Sequence, residues 1–264
     1  MKIAVLGSGG WGTALAMLLE ENGHQVTLWS YLEQESKQLQ ATGENPLLPG
    51  VQLPAGLSYT WDLDCVVGSD VVVMATPSFG VRSTAEQIAG RLSPGTVLVS
   101  VSKGIEKGTF LRMSQIIREA TGDRFPVVTL SGPSHAEEVA RKVPTAVVSA
   151  SPDRAAAEQV QDLFLNDHFR VYSSSDVVGV ELGAALKNVM ALCTGCCTGT
   201  RGCGIENTGL GGGVPQPGAT GGGATGSRGG STVPQNLQTP SSPISAPQLS
   251  HFTRISPSVL FQGL

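Results

Sequence analysis

The run Lys2-Ile3-Ala4-Val5-Leu6 passes directly into Gly7-Ser8-Gly9-Gly10-Trp11-Gly12, and this junction constrains the chain more than any other stretch. Gly7, Gly9 and Gly12 stand in G-x-G-x-x-G spacing, after an apolar strand and before a helical pattern over residues 11–21. That context is what a dinucleotide-binding turn requires. Gly7 permits the tight turn, Gly9 lets the backbone approach a pyrophosphate, and Gly12 lets the helix pack close to the strand. The helix N-terminus then offers unpaired N–H groups and a positive dipole end to phosphate. A merely glycine-rich turn is the alternative, and the strand–loop–helix setting argues against it. The implied cofactor is NAD or NADP. An NAD-specific site usually carries an acid at the end of the second strand, to hold the ribose 2′-OH. Here that strand ends Leu28-Trp29-Ser30-Tyr31, with neither an acid nor an arginine, and Glu33 falls late enough to belong to the next helix. Both cofactors stay open.

Beyond the first turn, short apolar runs alternate with helical patterns. Strands are expected at 2–6, 25–29, 71–75, 96–101, 127–130, 146–149 and 169–172, and helices at 11–21, about 32–41 and 176–192. Strands without polar alternation, separated by helices, predict a mostly parallel sheet covered on both faces. The fold class is therefore α/β, a Rossmann-type doubly wound sheet, followed by a truncated helical segment and a low-complexity tail. The expected division is a nucleotide-binding domain over 1–175, the start of a helical domain over 176–198, and a disordered tail over 199–264. From Thr200 onward the chain is Gly, Pro, Ser, Thr and Gln with few bulky apolar residues, too little to offset the entropy of ordering.

A formal net charge of −4 gives no basic footprint for nucleic acid or anionic membrane. No apolar run reaches the length of a membrane span, and no leader is evident, so a cytoplasmic location is the default. Of 5 cysteines, Cys65 stands alone in an apolar setting and reads as a core residue. Cys193 and Cys196 form a C-x-x-C, but a four-cysteine zinc site usually has two separated pairs. No metal site is expected.

Four further segments fall at strand ends, the edge where open parallel sheets bind ligands: "ATPSFGVR", "SVSKGIEKGT", "SGPSHAEEVA" and, opening the last helix, "ELGAALKNVMAL". Together with "GSGGWGTALA" and "NPLLPGVQLP" they resemble the bacterial NAD(P)-dependent glycerol-3-phosphate dehydrogenase family, in the right order over residues 1 to about 195. The resemblance implies reversible hydride transfer between NAD(P)H and dihydroxyacetone phosphate, giving sn-glycerol 3-phosphate for phospholipid synthesis. It assigns Lys187 as the proton-transferring lysine. Lys103, Gly132, Ser134 and Asn188 become substrate contacts. Gly7, Gly9, Gly10, Trp11, Gly12, Tyr31, Phe79, Lys103 and Ala136 become cofactor contacts, with Phe79 near the nicotinamide ring. Lys107 is read as a surface residue. His135 stands where the family has an aromatic, and is read as a substitution in a packed position rather than as a general acid.

The likeness stops after Gly195. The family continues into a helical domain that supplies a catalytic aspartate and an Arg-Asn pair for the substrate phosphate. Here no aspartate follows Asp176, and Arg201 is not followed by Asn. Simultaneous loss of apolar period and motifs near residue 196 is what a frameshift or mis-joined reading frame produces. The expectation is a chain that binds cofactor and turns over poorly, with an exposed apolar face at Leu182, Leu186 and Val189 and a marginal last helix. Homo-oligomerisation would depend on the second domain. Two other readings remain: a reductase of another small keto acid, and a non-catalytic dinucleotide-binding module.

Overall fold

A computed structural model describes residues 1–198; the expected tail over 199–264 lies outside the described residues. Eight strands alternate with seven α-helices: β1 (Lys2–Leu6), α1 (Gly10–Glu21), β2 (Gln25–Trp29), α2 (Glu33–Thr42), β3 (Ser58–Thr60), β4 (Val71–Met74), α3 (Val81–Ile88), β5 (Val97–Ser100), α4 (Met113–Thr121), β6 (Val127–Ser131), α5 (Ala136–Ala140), β7 (Thr145–Ala150), α6 (Arg154–Phe164), β8 (Phe169–Ser174) and α7 (Val177–Thr198). One sheet has the order β3-β2-β1-β4-β5-β6-β7-β8. β1 to β6 run parallel, β7 turns antiparallel to β6, and β8 follows β7 in parallel. The strand order reverses between β1 and β4, so the crevice of a doubly wound sheet opens above that pair.

Both faces of the sheet are covered because both residue parities along the strands are apolar. Ile3, Val5, Val73, Val99 and Leu130 pack with Leu15, Leu19, Val160 and Phe164 of α1 and α6. Ala4, Leu6, Val72, Met74 and Leu98 pack on the other face with Val81, Ile88, Met113 and Ile117 of α3 and α4. Each of these side chains apart from Ala4, at 3% exposure or less, contributes on the order of 1.5–3 kcal/mol by leaving water. Helix ends follow local chemistry. α2 and α4 stop at Gly43 and Gly122, both left-handed, and α6 starts where Asp153 accepts from the Ala156 N–H. Cys65 is half-buried against the second core, and burial pushes its thiol up to about 12, an inert packing residue.

The last helix departs from its sequence pattern. Apolar spacing supports it to Leu192, yet α7 continues to Thr198, because backbone hydrogen bonds extend a helix without an apolar stripe. Leu182 and Leu186 are half-buried, while Val189, Met190 and Leu192 are 55%, 65% and 70% exposed. Among the described residues no helix is long and apolar enough to cross a membrane, and no acidic, cysteine or histidine cluster could hold a metal ion.

The loop after β5 is fastened to α3 by charge. Arg82 grips Glu106 with two hydrogen bonds of 2.8 Å, and Glu106 also accepts from Thr109. These donors hold the Glu106 carboxyl down at about 2. A carboxyl depressed in the folded state stabilises above its unfolded pKa, and that stability is lost as pH falls through the folded value. Glu106→Gln is therefore expected to lower Tm at neutral pH. Scanning calorimetry should show the gap from wild type closing as pH drops from about 4.5 to about 2. A gap independent of pH would show that the charge is not what fastens the loop.

Candidate active site

The glycine turn is built as the spacing predicts. Gly7 has φ +124°, and a Cβ there would lie 2.7 Å from the Ala75 carbonyl oxygen. A Cβ on Gly12 would lie 2.0 Å from the Gly7 carbonyl oxygen, so only glycine lets α1 approach the end of β1 this closely. Gly9 is the N-cap of α1, and beyond its two chain neighbours no atom of the described residues lies within 4 Å of where its Cβ would be. That open space beside a helix N-terminus is what a pyrophosphate needs, so the residues present fit a bound dinucleotide. Gly10 packs against Leu47 and Ala136, which brings the 44–50 loop and α5 to the same helix start.

Asn45 is a residue the spacing did not single out. Its buried amide donates to the Ser8 carbonyl at 3.0 Å and to Thr13 Oγ1 at 2.8 Å, and its Oδ1 accepts from the Leu47 N–H. One side chain thus clasps the glycine turn to the proline-punctuated loop. The only signal in the sequence was that "NPLLPG" accompanies the glycine motif.

A cleft of about 280 Å³ lies next to the turn, lined by Trp11, Ala75, Val101, Ser102, Lys103, Ser134, His135 and Ala136. Its walls come from the C-terminal ends of β4, β5 and β6. Lys103 reaches across to the Gly132 carbonyl at 3.2 Å and stands 5.9 Å from the Trp11 ring centre. Burial, and then the charge of Lys187, push the Lys103 ammonium below its usual range. A site that strains a cation in this way gains by taking an anion. Ser134 is buried with its hydroxyl 3.4 Å from the Gly132 carbonyl. Gly132 itself cannot be larger, since a Cβ would meet the Ala146 carbonyl at 2.8 Å. Ser102 ties β4 to β5 by donating to the Met74 and Thr76 carbonyls. The Trp11 indole N–H is buried with no hydrogen-bond partner among the described residues.

Lys187 comes to this edge on α7, with Nζ 3.4 Å from His135 Nε2. Asn188, the next residue, is exposed. Tyr31 and Phe79 stand outside the cleft at 77% and 88% exposure, Tyr31 edge-on to Trp29. Lys107 is exposed. Glu33 opens α2 and pairs with Lys37, as its lateness after β2 implied. His135 corrects the sequence reading. It is exposed rather than packed, because it is the N-cap of α5 and its side chain leaves the helix toward the cleft mouth.

What holds α7 in place is Glu181, also missed in the sequence although it stands in "ELGAALKN". Its carboxylate is 5% exposed. It accepts from the Ser114 N–H at 2.7 Å, the Ser114 hydroxyl at 2.7 Å and Arg112 at 2.5 Å. A negative charge at the first turn of α4 is also favoured by that helix's dipole. Glu181→Gln keeps the shape and loses the charge-assisted bonds, so unfolding free energy is expected to fall by about 2 kcal/mol. Urea denaturation measures this, and an unchanged midpoint would mean that α7 is not anchored through this carboxylate.

A parallel sheet in 3-2-1-4-5-6 order, with a glycine turn at its reversal point, defines a Rossmann-type dinucleotide-binding unit. The chain belongs to the NAD-dependent glycerol-3-phosphate dehydrogenase family: the model of the family's N-terminus matches residues 2–157 and that of its C-terminus matches residues 176–209. It is 50% identical over 204 residues to a glycerol-3-phosphate dehydrogenase [NAD(P)+] of Pelotomaculum thermopropionicum, covering 75% of this chain and 58% of that protein. It is also 50% identical to the enzyme of that name from Moorella thermoacetica, covering 75% of this chain and 59% of the relative. Among solved structures it resembles glycerol-3-phosphate dehydrogenase from Coxiella burnetii, with a TM-score of 0.69 and 34% identity, covering 75% of this chain and 61% of that one. The chain thus spans a little under three fifths of the length of these curated relatives.

Proposed function

We propose that this chain carries the nucleotide-binding and proton-transfer half of an NAD(P)-dependent glycerol-3-phosphate dehydrogenase, acting reversibly between dihydroxyacetone phosphate and sn-glycerol 3-phosphate in the cytoplasm, where the product feeds phospholipid synthesis. The observation that carries this reading is the placement of two lysines, Lys103 and Lys187, at a cleft that adjoins the glycine turn. A bound reduced nicotinamide would supply the hydride. Gly7, Gly9, Gly10, Trp11 and Gly12 would hold its pyrophosphate side, and Ala136, Phe79 and Tyr31 would line its rings. Lys187 would give a proton to the carbonyl oxygen as negative charge develops there, and in the reverse direction its amine would take the hydroxyl proton. Lys103, the Gly132 backbone and Ser134 would orient the ketone, with Lys103 bridging substrate and cofactor, and Asn188 would complete the contact from α7. The division at about residue 175, with α7 as the first helix of a substrate domain, belongs to the same proposal, and the family match at 176–209 supports it.

Fluorescence titration with NADH and NADPH, followed by cofactor oxidation with dihydroxyacetone phosphate, tests this. Binding with weak turnover is the expected result. Turnover with a different keto acid alone would replace the substrate, and binding without turnover would leave a nucleotide-binding module. Absence of nucleotide binding would overturn the reading entirely.

A further inference from the structure

At the mouth of the cleft the structure places the His135 imidazole against Lys187. Both partners sit on fixed backbone. His135 caps α5, with its carbonyl accepting from the Val139 N–H at 3.1 Å. The neighbouring Ala136 is packed against Gly10 of α1. Lys187 is carried by α7, fastened by Glu181 to the start of α4. The 3.4 Å contact between Nζ and Nε2 thus joins side chains carried by two anchored helices.

We propose that His135 is a positioning residue for Lys187: the neutral imidazole accepts from the Lys187 ammonium and holds it at the cleft mouth, and protonation of the imidazole releases it. The proposal rests on Lys187 as the proton donor of the reaction proposed above. In the Nδ1–H tautomer the Nε2 lone pair faces the ammonium, whose three N–H groups leave others for a substrate oxygen. Protonated, the imidazole has no acceptor left. The mouth then holds three cations, since Lys103 lines the same cleft from the loop after β5. The acids nearest in sequence are Glu137 and Glu138, in the first turn of α5 itself. An imidazole is the side chain whose charge changes near neutral pH, so activity should fall on the acid side through this contact.

The test is made on the full chain. Imidazole nitrogen NMR reads the Nε2 environment of His135 in wild type and in Lys187→Met. Loss of the ammonium donor should shift the Nε2 resonance, since that lone pair loses its partner. An unchanged resonance overturns the contact. This measurement needs no catalysis, so it stands even where the proposed reaction fails for want of turnover. With turnover, His135→Gln keeps an acceptor that does not protonate. It should retain kcat at neutral pH and lose the decline toward about pH 5, whereas His135→Phe should lower kcat by about threefold to tenfold with NADH affinity unchanged. A His135→Gln profile identical to wild type would overturn the positioning role.

Discussion

Lys187→Ala is expected to lower kcat in the proposed reduction of dihydroxyacetone phosphate by about 10²–10⁴, the usual span for removal of a positioned general acid. The loss should fall on kcat rather than on cofactor binding. Lys187 lies on α7, across the cleft mouth from the glycine turn, and the elements that hold the turn are α1, the Asn45 clasp and β4. NADH affinity should therefore change by less than about threefold, since no phosphate-binding group is touched. Lys187→Arg should not rescue the rate, because a guanidinium stays protonated throughout the accessible range and cannot cycle a proton. The Lys103 ammonium, relieved of a facing like charge, should return toward its usual range. Steady-state kinetics with an independent NADH titration separates these effects. Full activity in Lys187→Ala would remove this lysine from the mechanism, and with it the main reason for reading α7 as part of the site.

The nucleotide half of this arrangement was legible because it is local. The glycine spacing, the strand before it and the helix after it are contiguous, and Gly7 and Gly12 each have a backbone clash to avoid while Gly9 leaves open space. The buried parallel strands were legible for a similar reason: apolar runs with no alternation have few other uses. Each expected strand lies within two residues of its observed bounds. β3 escaped notice because Ser58–Thr60 is three residues long and half-polar at the sheet edge, where pairing with β2 rather than side-chain pattern decides the strand. The antiparallel turn of β7 was equally invisible, since periodicity carries no direction. Asn45, Ser102 and Glu181 were hidden for another reason. Each acts across 26 to 69 positions of sequence, so nothing near them marks their partners. His135 was misplaced because an aromatic-for-imidazole exchange suggests packing, while the cap geometry of α5 decides that the ring faces outward.

Gly12→Ala should lose nucleotide binding and stability together, and the comparison with Gly9→Ala shows why. The new methyl at Gly12 would lie 2.0 Å from the Gly7 carbonyl oxygen and 3.0 Å from the Ala75 Cβ, so one side must move by more than about 1 Å to reach ordinary contact. Neither side is free to move. The turn is pinned by Gly7 N–H to the Trp29 carbonyl at 3.0 Å and by Ala75 N–H to the Leu6 carbonyl at 2.9 Å. α1 is pinned by Leu15, Leu18 and Leu19, all at 2% exposure or less. Shifting the helix opens gaps in that core, and shifting the turn displaces the N–H groups that phosphate would meet. Overpacking of this kind costs about 1–3 kcal/mol, roughly 3–10 °C in Tm for a domain of this size. NADH affinity should fall by about 100-fold or more, since displacement of the turn removes several charge-assisted bonds at once. At Gly9 the added methyl meets no atom of the described residues within 4 Å beyond its two chain neighbours, and the backbone, at φ −62° and ψ 168°, accepts alanine without strain. Gly9→Ala should therefore leave Tm within about 1–2 °C of wild type and weaken NADH alone, because the methyl occupies the space left for the pyrophosphate. If Gly9→Ala binds NADH as wild type does, the dinucleotide does not lie over that turn. If Gly12→Ala keeps both affinity and Tm, the close approach of α1 to β1 is not what shapes the site.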